Sequence, residues 1–299
     1  MKNDEGFNLP APFIVGVGRS GTTLLRLMLD AHPEMSIPPE TGFIPATIKS
    51  SCDTTDPRRE FVKVITEFET WPDFNFSPNE FYQALNSEPF ELSVGIRAFY
   101  RLYAARFAKK RWGDKTPAYS TQMPEIEAVL PEAHFIHVIR DGRDVALSVR
   151  PLWFAPGKDI RTIAHDWKNR IEEARYLSRN CRHYLEIHYE NLVTHTQSEL
   201  RKICTFIELD YHPQMLGYFE GARDRLNEIT TRYRPDGTLL ITKDERLFNH
   251  RLTSCPPDSS RIFRWQHEMK RDERLEFEKE AGALLEHQLH YETLFHQAG

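Results

Sequence analysis

Residues 13–30 read Phe-Ile-Val-Gly-Val-Gly-Arg-Ser-Gly-Thr-Thr-Leu-Leu-Arg-Leu-Met-Leu-Asp. An apolar, β-branched run passes straight into a glycine-rich turn, and the turn opens an amphipathic segment whose Leu24, Leu25, Leu27, Met28 and Leu29 can pack inward. That succession specifies strand, phosphate-binding loop and helix. A helix N-terminus offers unpaired N–H groups and a partial positive charge, so an anion settles there, and glycines let the backbone approach it. The frame from Gly16 to Gly21 matches the nucleotide-phosphate loop G-x-x-x-x-G-K-[ST], except that Thr22 stands in the lysine position. A kinase or nucleotide hydrolase needs that lysine on its β- and γ-phosphates. Here the charge is Arg19, inside the loop; a planar guanidinium holds an oxyanion through paired hydrogen bonds, and Thr22 and Thr23 add hydroxyl donors. A strand-to-helix turn that binds nothing is the alternative, because the glycine frame alone has low specificity.

At 299 residues the chain is long enough for one large α/β domain with insertions, and 1–299 is read as that single domain. A net charge of −5 argues against nucleic acid as the main partner. No apolar run approaches the ~20 residues that span a bilayer, and the first residues lack a signal peptide's apolar core, so a cytoplasmic protein is expected. Cys52, Cys181, Cys204 and Cys255 are widely spaced singles, which suits reduced thiols rather than a disulfide framework or a zinc site.

After the first helix the chain turns at Pro33 and runs as a short strand towards Glu40, at the end of a parallel sheet where ligand crevices form. A carboxylate there suits a general base on an incoming hydroxyl; the other reading has Glu40 capping the next segment or pairing with Arg19. Residues 45–110 are rich in Phe, Tyr and Trp at helical spacing over 60–68, 79–85 and 93–110, and predict a helical insertion over the crevice. Its aromatic stripes are read as packing. Asp114-Lys115-Thr116 before Pro117 suggests a site loop, with Lys115 neutralising charge on a leaving oxygen or, alternatively, sitting in a surface salt bridge. A second strand and turn at 135–144 place Arg140 at a strand end and Ser148 two helical turns on, a pair suited to a second anion. His134 and His137 lie on opposite faces of that strand and are not read as a metal pair. A helix over 160–180, a strand over 184–188 and a helix over 195–207 continue the alternation that defines a parallel sheet flanked by helices. Residues 235–260 are polar and turn-rich and read as a mobile loop, and 271–289 as a closing helix.

Two anion sites on one crevice and no evident metal ligands describe a nucleotide with phosphate at both ends. At these residues the sequence resembles the sulfotransferase family, whose donor is 3′-phosphoadenosine 5′-phosphosulfate (PAPS; product PAP). Gly-Val-Gly-Arg-Ser-Gly-Thr-Thr-Leu-Leu is similar to the family's 5′-phosphosulfate loop, which implies Arg19, Ser20, Gly21, Thr22 and Thr23 at the sulfuryl end. Arg140-Asp-Gly-Arg-Asp-Val-Ala-Leu-Ser148 is similar to its 3′-phosphate motif, which implies Arg140 and Ser148 on that phosphate. Within the family the pattern is closest to bacterial sulfotransferases resembling the tyrosylprotein enzymes, through Leu29-Asp-Ala-His-Pro33 and the pair Glu40-Thr41. This implies a P-loop α/β fold, Glu40 as catalytic base, Lys115 as stabiliser of the leaving side, and Tyr189 with Arg264 around the nucleotide. Gly42 stands where the animal enzymes have an arginine, so a small-molecule, glycan or lipid acceptor is expected over an acidic peptide. A metal is not expected, since a sulfuryl group bears less charge than a phosphoryl group, and a homodimer is compatible with the chain. An ATP-dependent phosphotransferase and a non-catalytic nucleotide-binding regulator are the competing readings.

Overall fold

The computed structural model describes residues 9–50, 55–85, 90–234 and 236–285. Strand β1 (Ala11–Gly16) leads into helix α1 (Thr22–Asp30) and the short β2 (Met35–Ser36). Four helices follow, α2 (Ile44–Ser50), α3 (Pro57–Thr66), α4 (Pro78–Ala84) and α5 (Leu92–Ala105). Then come β3 (Arg111–Trp112), β4 (Asp114–Lys115), α6 (Met123–Val129), β5 (Ala133–Ile139), α7 (Gly142–Val149), α8 (Ile160–Ser178) and β6 (Tyr184–His188). Helices α9 (Tyr189–Thr194), α10 (Thr196–Phe206) and α11 (Phe219–Leu226) precede a hairpin of β7 (Arg232–Tyr233) and β8 (Leu239–Ile241). Helices α12 (Lys243–His250), α13 (Trp265–Glu268) and α14 (Arg271–Ala281) complete the described chain. The expected closing helix begins as read; its residues from 286 lie outside the described ones.

The central sheet runs β4-β1-β5-β6 with every pairing parallel. β1 and β5 are buried along their whole length. They are therefore apolar at nearly every position rather than alternately, as a parallel sheet covered on both faces requires. Alternation sets which core each side chain enters. Phe13, Val15 and Phe135 join one apolar cluster, and Ile14, Ile136 and Val138 join another with the buried face of α1.

The aromatic stripes of residues 44–105 are core. Phe43 and Phe74 each meet Phe99 edge-on at 4.8 Å, and Tyr100 stacks on Trp112 at 4.6 Å. This places the helices α2–α5 against one face of the sheet. The expectation that they lie over the crevice is corrected below by what lines it.

Candidate active site

The loop after β1 is held in a strained form. Arg19 has φ 73°, rare for a side-chain-bearing residue, and Gly21 has φ 97°. A Cβ on Gly21 would lie 2.4 Å from the Tyr189 ring, so glycine is needed both for conformation and for space. Helix α1 begins at Thr22 with no side-chain cap and no acidic residue in its first turn, leaving its N–H groups and dipole directed at the loop.

The second arginine-bearing loop packs against the first. Arg140, at the end of β5, donates from Nη1 to the Arg19 carbonyl at 3.2 Å and from Nη2 to the Arg261 carbonyl at 2.8 Å, and lies 4.4 Å over the Tyr189 ring. Tyr189 thus joins both loops, touching Gly21 on one side and Arg140 on the other. Burial, then the neighbouring Arg140 and Arg251 charges, push the Arg19 guanidinium below its ordinary value. Such a concentration of buried cations favours an anion between them.

Glu40 and Lys115 complete the constellation. Lys115 Nζ donates to Glu40 Oε1 at 2.5 Å and to Thr23 Oγ1 at 3.3 Å. Burial alone would raise the Glu40 carboxyl, but Lys115 outweighs it, with Arg232 and His250 adding, and holds it down at about 2. The Glu40 side chain is 39% exposed, and that surface opens into a cavity. The residues next to the pair are locked behind it. Thr41 Oγ1 donates to Asp114 Oδ2 at 2.7 Å, Tyr100 adds a second bond to the same oxygen at 2.9 Å, and Tyr119 lies 2.9 Å from the Thr41 hydroxyl. These bonds join the loop carrying Glu40 to the strand carrying Lys115.

A cavity of about 490 Å³ brings these groups together. Arg19, Gly21, Thr22, Thr23, Glu40, Lys115, Arg140, Ser148, Tyr189 and Arg264 all line it. Ser20 does not; its hydroxyl is buried beside the loop without a partner. Of the two open alternatives, Glu40 pairs with Lys115 rather than with Arg19, and Lys115 is 3% exposed rather than a surface residue. His134 and His137 serve the sheet: His134 stacks on His183 at 3.9 Å, and His137 Nδ1 lies 2.6 Å from the Tyr184 hydroxyl. Among the described residues no cluster of His, Cys, Asp and Glu is arranged for a metal ion.

Among the described residues none between Glu40 and Lys115 lines the cavity, so the described helices of the insertion support the crevice from behind instead of covering it. The cover comes from later in the chain, through Leu226, Ile229, Arg232, Ile241, Arg246, His250, Leu252 and Arg261. Residues 235–260, expected as a loop, carry regular structure instead. The described residues form β8, α12 and two 3₁₀ turns, and Arg19 Nη2 donates to the Asn249 carbonyl at 3.1 Å. The legible signal was Thr242 followed by Glu245, which form a capping box at the start of α12. His250 was missed with it. Burial, then Lys115 and Arg19, lower its imidazole to about 3, so it faces the site neutral.

A parallel α/β sheet with two arginine-bearing loops at the carboxyl ends of its strands has its cavity where folds of this class bind ligands. The model of the sulfotransferase family matches residues 10–213, and the chain belongs to that family. It is 27% identical over 241 residues to protein-tyrosine sulfotransferase A of Caenorhabditis elegans, covering 73% of this chain and 57% of that protein. Nodulation protein NoeE of Sinorhizobium fredii is 24% identical over 222 residues, covering 66% of this chain and 50% of that protein. The chain thus spans little more than half the length of these relatives. Among solved structures, the sulfotransferase domain from the Synechococcus PCC 7002 olefin synthase superposes with a TM-score of 0.55 at 22% identity, covering 94% of this chain and 98% of that one. The sulfotransferase domain from the curacin biosynthetic pathway gives 0.56 at 17% identity, covering 91% and 97%. Both share the fold.

Proposed function

We propose that the chain transfers a sulfuryl group from PAPS to the hydroxyl of a small-molecule, lipid or sugar acceptor. The observation that carries the reading is the convergence of two arginine-bearing anion loops and the Glu40–Lys115 pair on one cavity.

The donor set fits the nucleotide. Arg19 Nε, Arg140 Nε and Arg264 Nε are buried without hydrogen-bond partners, an arrangement that costs free energy unless an acceptor is supplied. Arg19, Thr22, Thr23 and the N–H groups of the α1 N-terminus would hold the phosphosulfate, Arg140 and Ser148 the 3′-phosphate, with Tyr189 and Arg264 beside the nucleoside. When bound, the donor supplies an activated sulfuryl group with PAP as leaving group. Glu40 receives the acceptor's proton at its carboxylate. Lys115 reaches both Glu40 and Thr23, so its ammonium can turn from the carboxylate to charge on the phosphosulfate side, and that movement leaves Glu40 more basic.

Two features support an acceptor other than an acidic peptide. Gly42 has φ 70°, and a Cβ there would lie 2.9 Å from the Phe68 ring, so the arginine of the animal enzymes has no place on this backbone. Leu226, Ile229, Ile241 and Leu252 also give the cavity wall an apolar surface. The free thiols of Cys181, Cys204 and Cys255 support a reducing, cytoplasmic location, and among the described residues no helix is long and apolar enough to cross a membrane. A thermal shift with PAP tests the donor site. Incubation with labelled PAPS and fractionated host extract, followed by mass analysis, tests the transfer. No stabilisation by PAP together with magnesium-dependent use of ATP would overturn the reading.

A further inference from the structure

Asp73 lies in the 3₁₀ turn Trp71–Phe74 of the helical insertion and has no exposed surface. It lines no part of the cavity, yet it holds residues that do. Its Oδ1 accepts from Thr230 N at 2.7 Å, Thr230 Oγ1 at 2.8 Å and Arg246 Nη1 at 3.0 Å. Its Oδ2 accepts from Arg246 Nη2 at 2.6 Å and Arg232 Nη2 at 3.4 Å. Arg246 Nη1 also donates to the Thr230 carbonyl at 2.6 Å, and Arg232 Nη1 lies 3.6 Å from Glu69 Oε1. One buried carboxylate therefore gathers the start of the β7–β8 hairpin and the second turn of α12. Arg232 and Arg246 line the cavity, and α12 ends in His250, beside Glu40 and Lys115.

A cluster of this kind is more than packing. Two guanidinium groups on a cavity wall would otherwise draw anions or water into the acceptor end, and Asp73 with Glu69 neutralises both. The bidentate contact with Arg246 also fixes the orientation of α12, because a planar guanidinium on a carboxylate has one good geometry.

We propose that Asp73 is a positioning residue: it latches residues 230–250 to the helical insertion and so keeps the acceptor end of the cavity closed to water beside Glu40. The proposal rests on the sulfotransferase reading for its chemical consequence but not for the latch itself. With the latch loosened, water takes the acceptor's place: the bridging S–O bond of PAPS breaks, a new S–O bond forms to the water oxygen, and PAP, sulfate and two protons are released.

The test compares the full chain with Asp73→Asn and with Arg246→Gln, which breaks the same contact from the half-exposed helix and serves should the buried variant fail to fold. Amide hydrogen exchange over residues 230–250 is expected to quicken at least tenfold in either variant, while β1 and β5 keep their protection. PAP affinity is expected to stay within about threefold of the parent, and hydrolysis of labelled PAPS without acceptor to rise severalfold. Unchanged exchange over 230–250 overturns the latch. Faster exchange with unchanged or lower hydrolysis, at intact PAP affinity, overturns the role in water exclusion and leaves Asp73 structural. A parent chain that binds no PAP overturns the sulfotransferase reading, and the exchange comparison then decides the latch alone.

Discussion

Glu40 and Lys115, seventy-five positions apart in sequence, meet at 2.5 Å across the cavity wall. The contact keeps the carboxylate ionised and its basicity low. Glu40→Gln is therefore expected to bind PAP as the parent does and to lose turnover by about a hundredfold or more, the usual range for a general base. Isothermal titration with PAP and the transfer assay measure the two separately; near-parental turnover would remove Glu40 from the role.

Lys115→Ala is expected to let the Glu40 carboxyl rise from about 2 towards its ordinary value. A depressed carboxyl contributes stability that is present above its unfolded value and is lost as pH falls through the folded one. The substitution removes that contribution, so the carboxyl resonance of labelled Glu40 should titrate at higher pH in the variant.

Two buried carboxyls act in the opposite direction. Burial raises Asp114 to about 6 and Glu190 to about 7, although Glu190 Oε1 accepts the Asp141 N–H at 3.0 Å. The folded state holds protons that the unfolded chain releases at lower pH, so stability should fall as pH rises from about 4 to 7. Each group contributes at most about 3 kcal/mol, at 1.36 kcal/mol per pKa unit. Denaturant midpoints between pH 4.5 and 8 check the slope, and Glu190→Gln should flatten its upper part.

Gly21→Ala forces a Cβ into a left-handed residue and onto the Tyr189 ring. The backbone term alone is about 1–2 kcal/mol, and displacement of Tyr189 also disturbs Arg140. A lowered melting temperature and a loss of the PAP-induced shift are expected together; a stable variant with normal PAP binding would show that the two loops are not coupled through Tyr189.

Arg140→Lys is expected to weaken PAP binding by roughly tenfold or more, because an ammonium cannot keep both carbonyl contacts and the Tyr189 face while also gripping a phosphate. Titration with PAP at two salt concentrations checks it; the variant keeps its unit charge, so the affinity should drop at both while the salt dependence stays close to the parent's. Equal affinity would place the 3′-phosphate elsewhere.

Sequence by itself determined the sheet, both arginine-bearing loops and the positions of Glu40 and Lys115, because each is written locally. A β-branched run gives a buried strand, a glycine at positive φ gives a tight turn, and a helix start gives unpaired N–H groups. The aromatic insertion was legible as packing for the same reason. Tertiary structure alone decided that this insertion stands behind the site, that Lys115 grips Glu40, and that Arg232, Arg246 and His250 come from a distant segment to close the cavity. Those outcomes depend on contacts between residues far apart in the chain, such as Asp73 with Arg246 and Thr41 with Asp114, whose free energy comes from burial and mutual satisfaction that local periodicity does not encode.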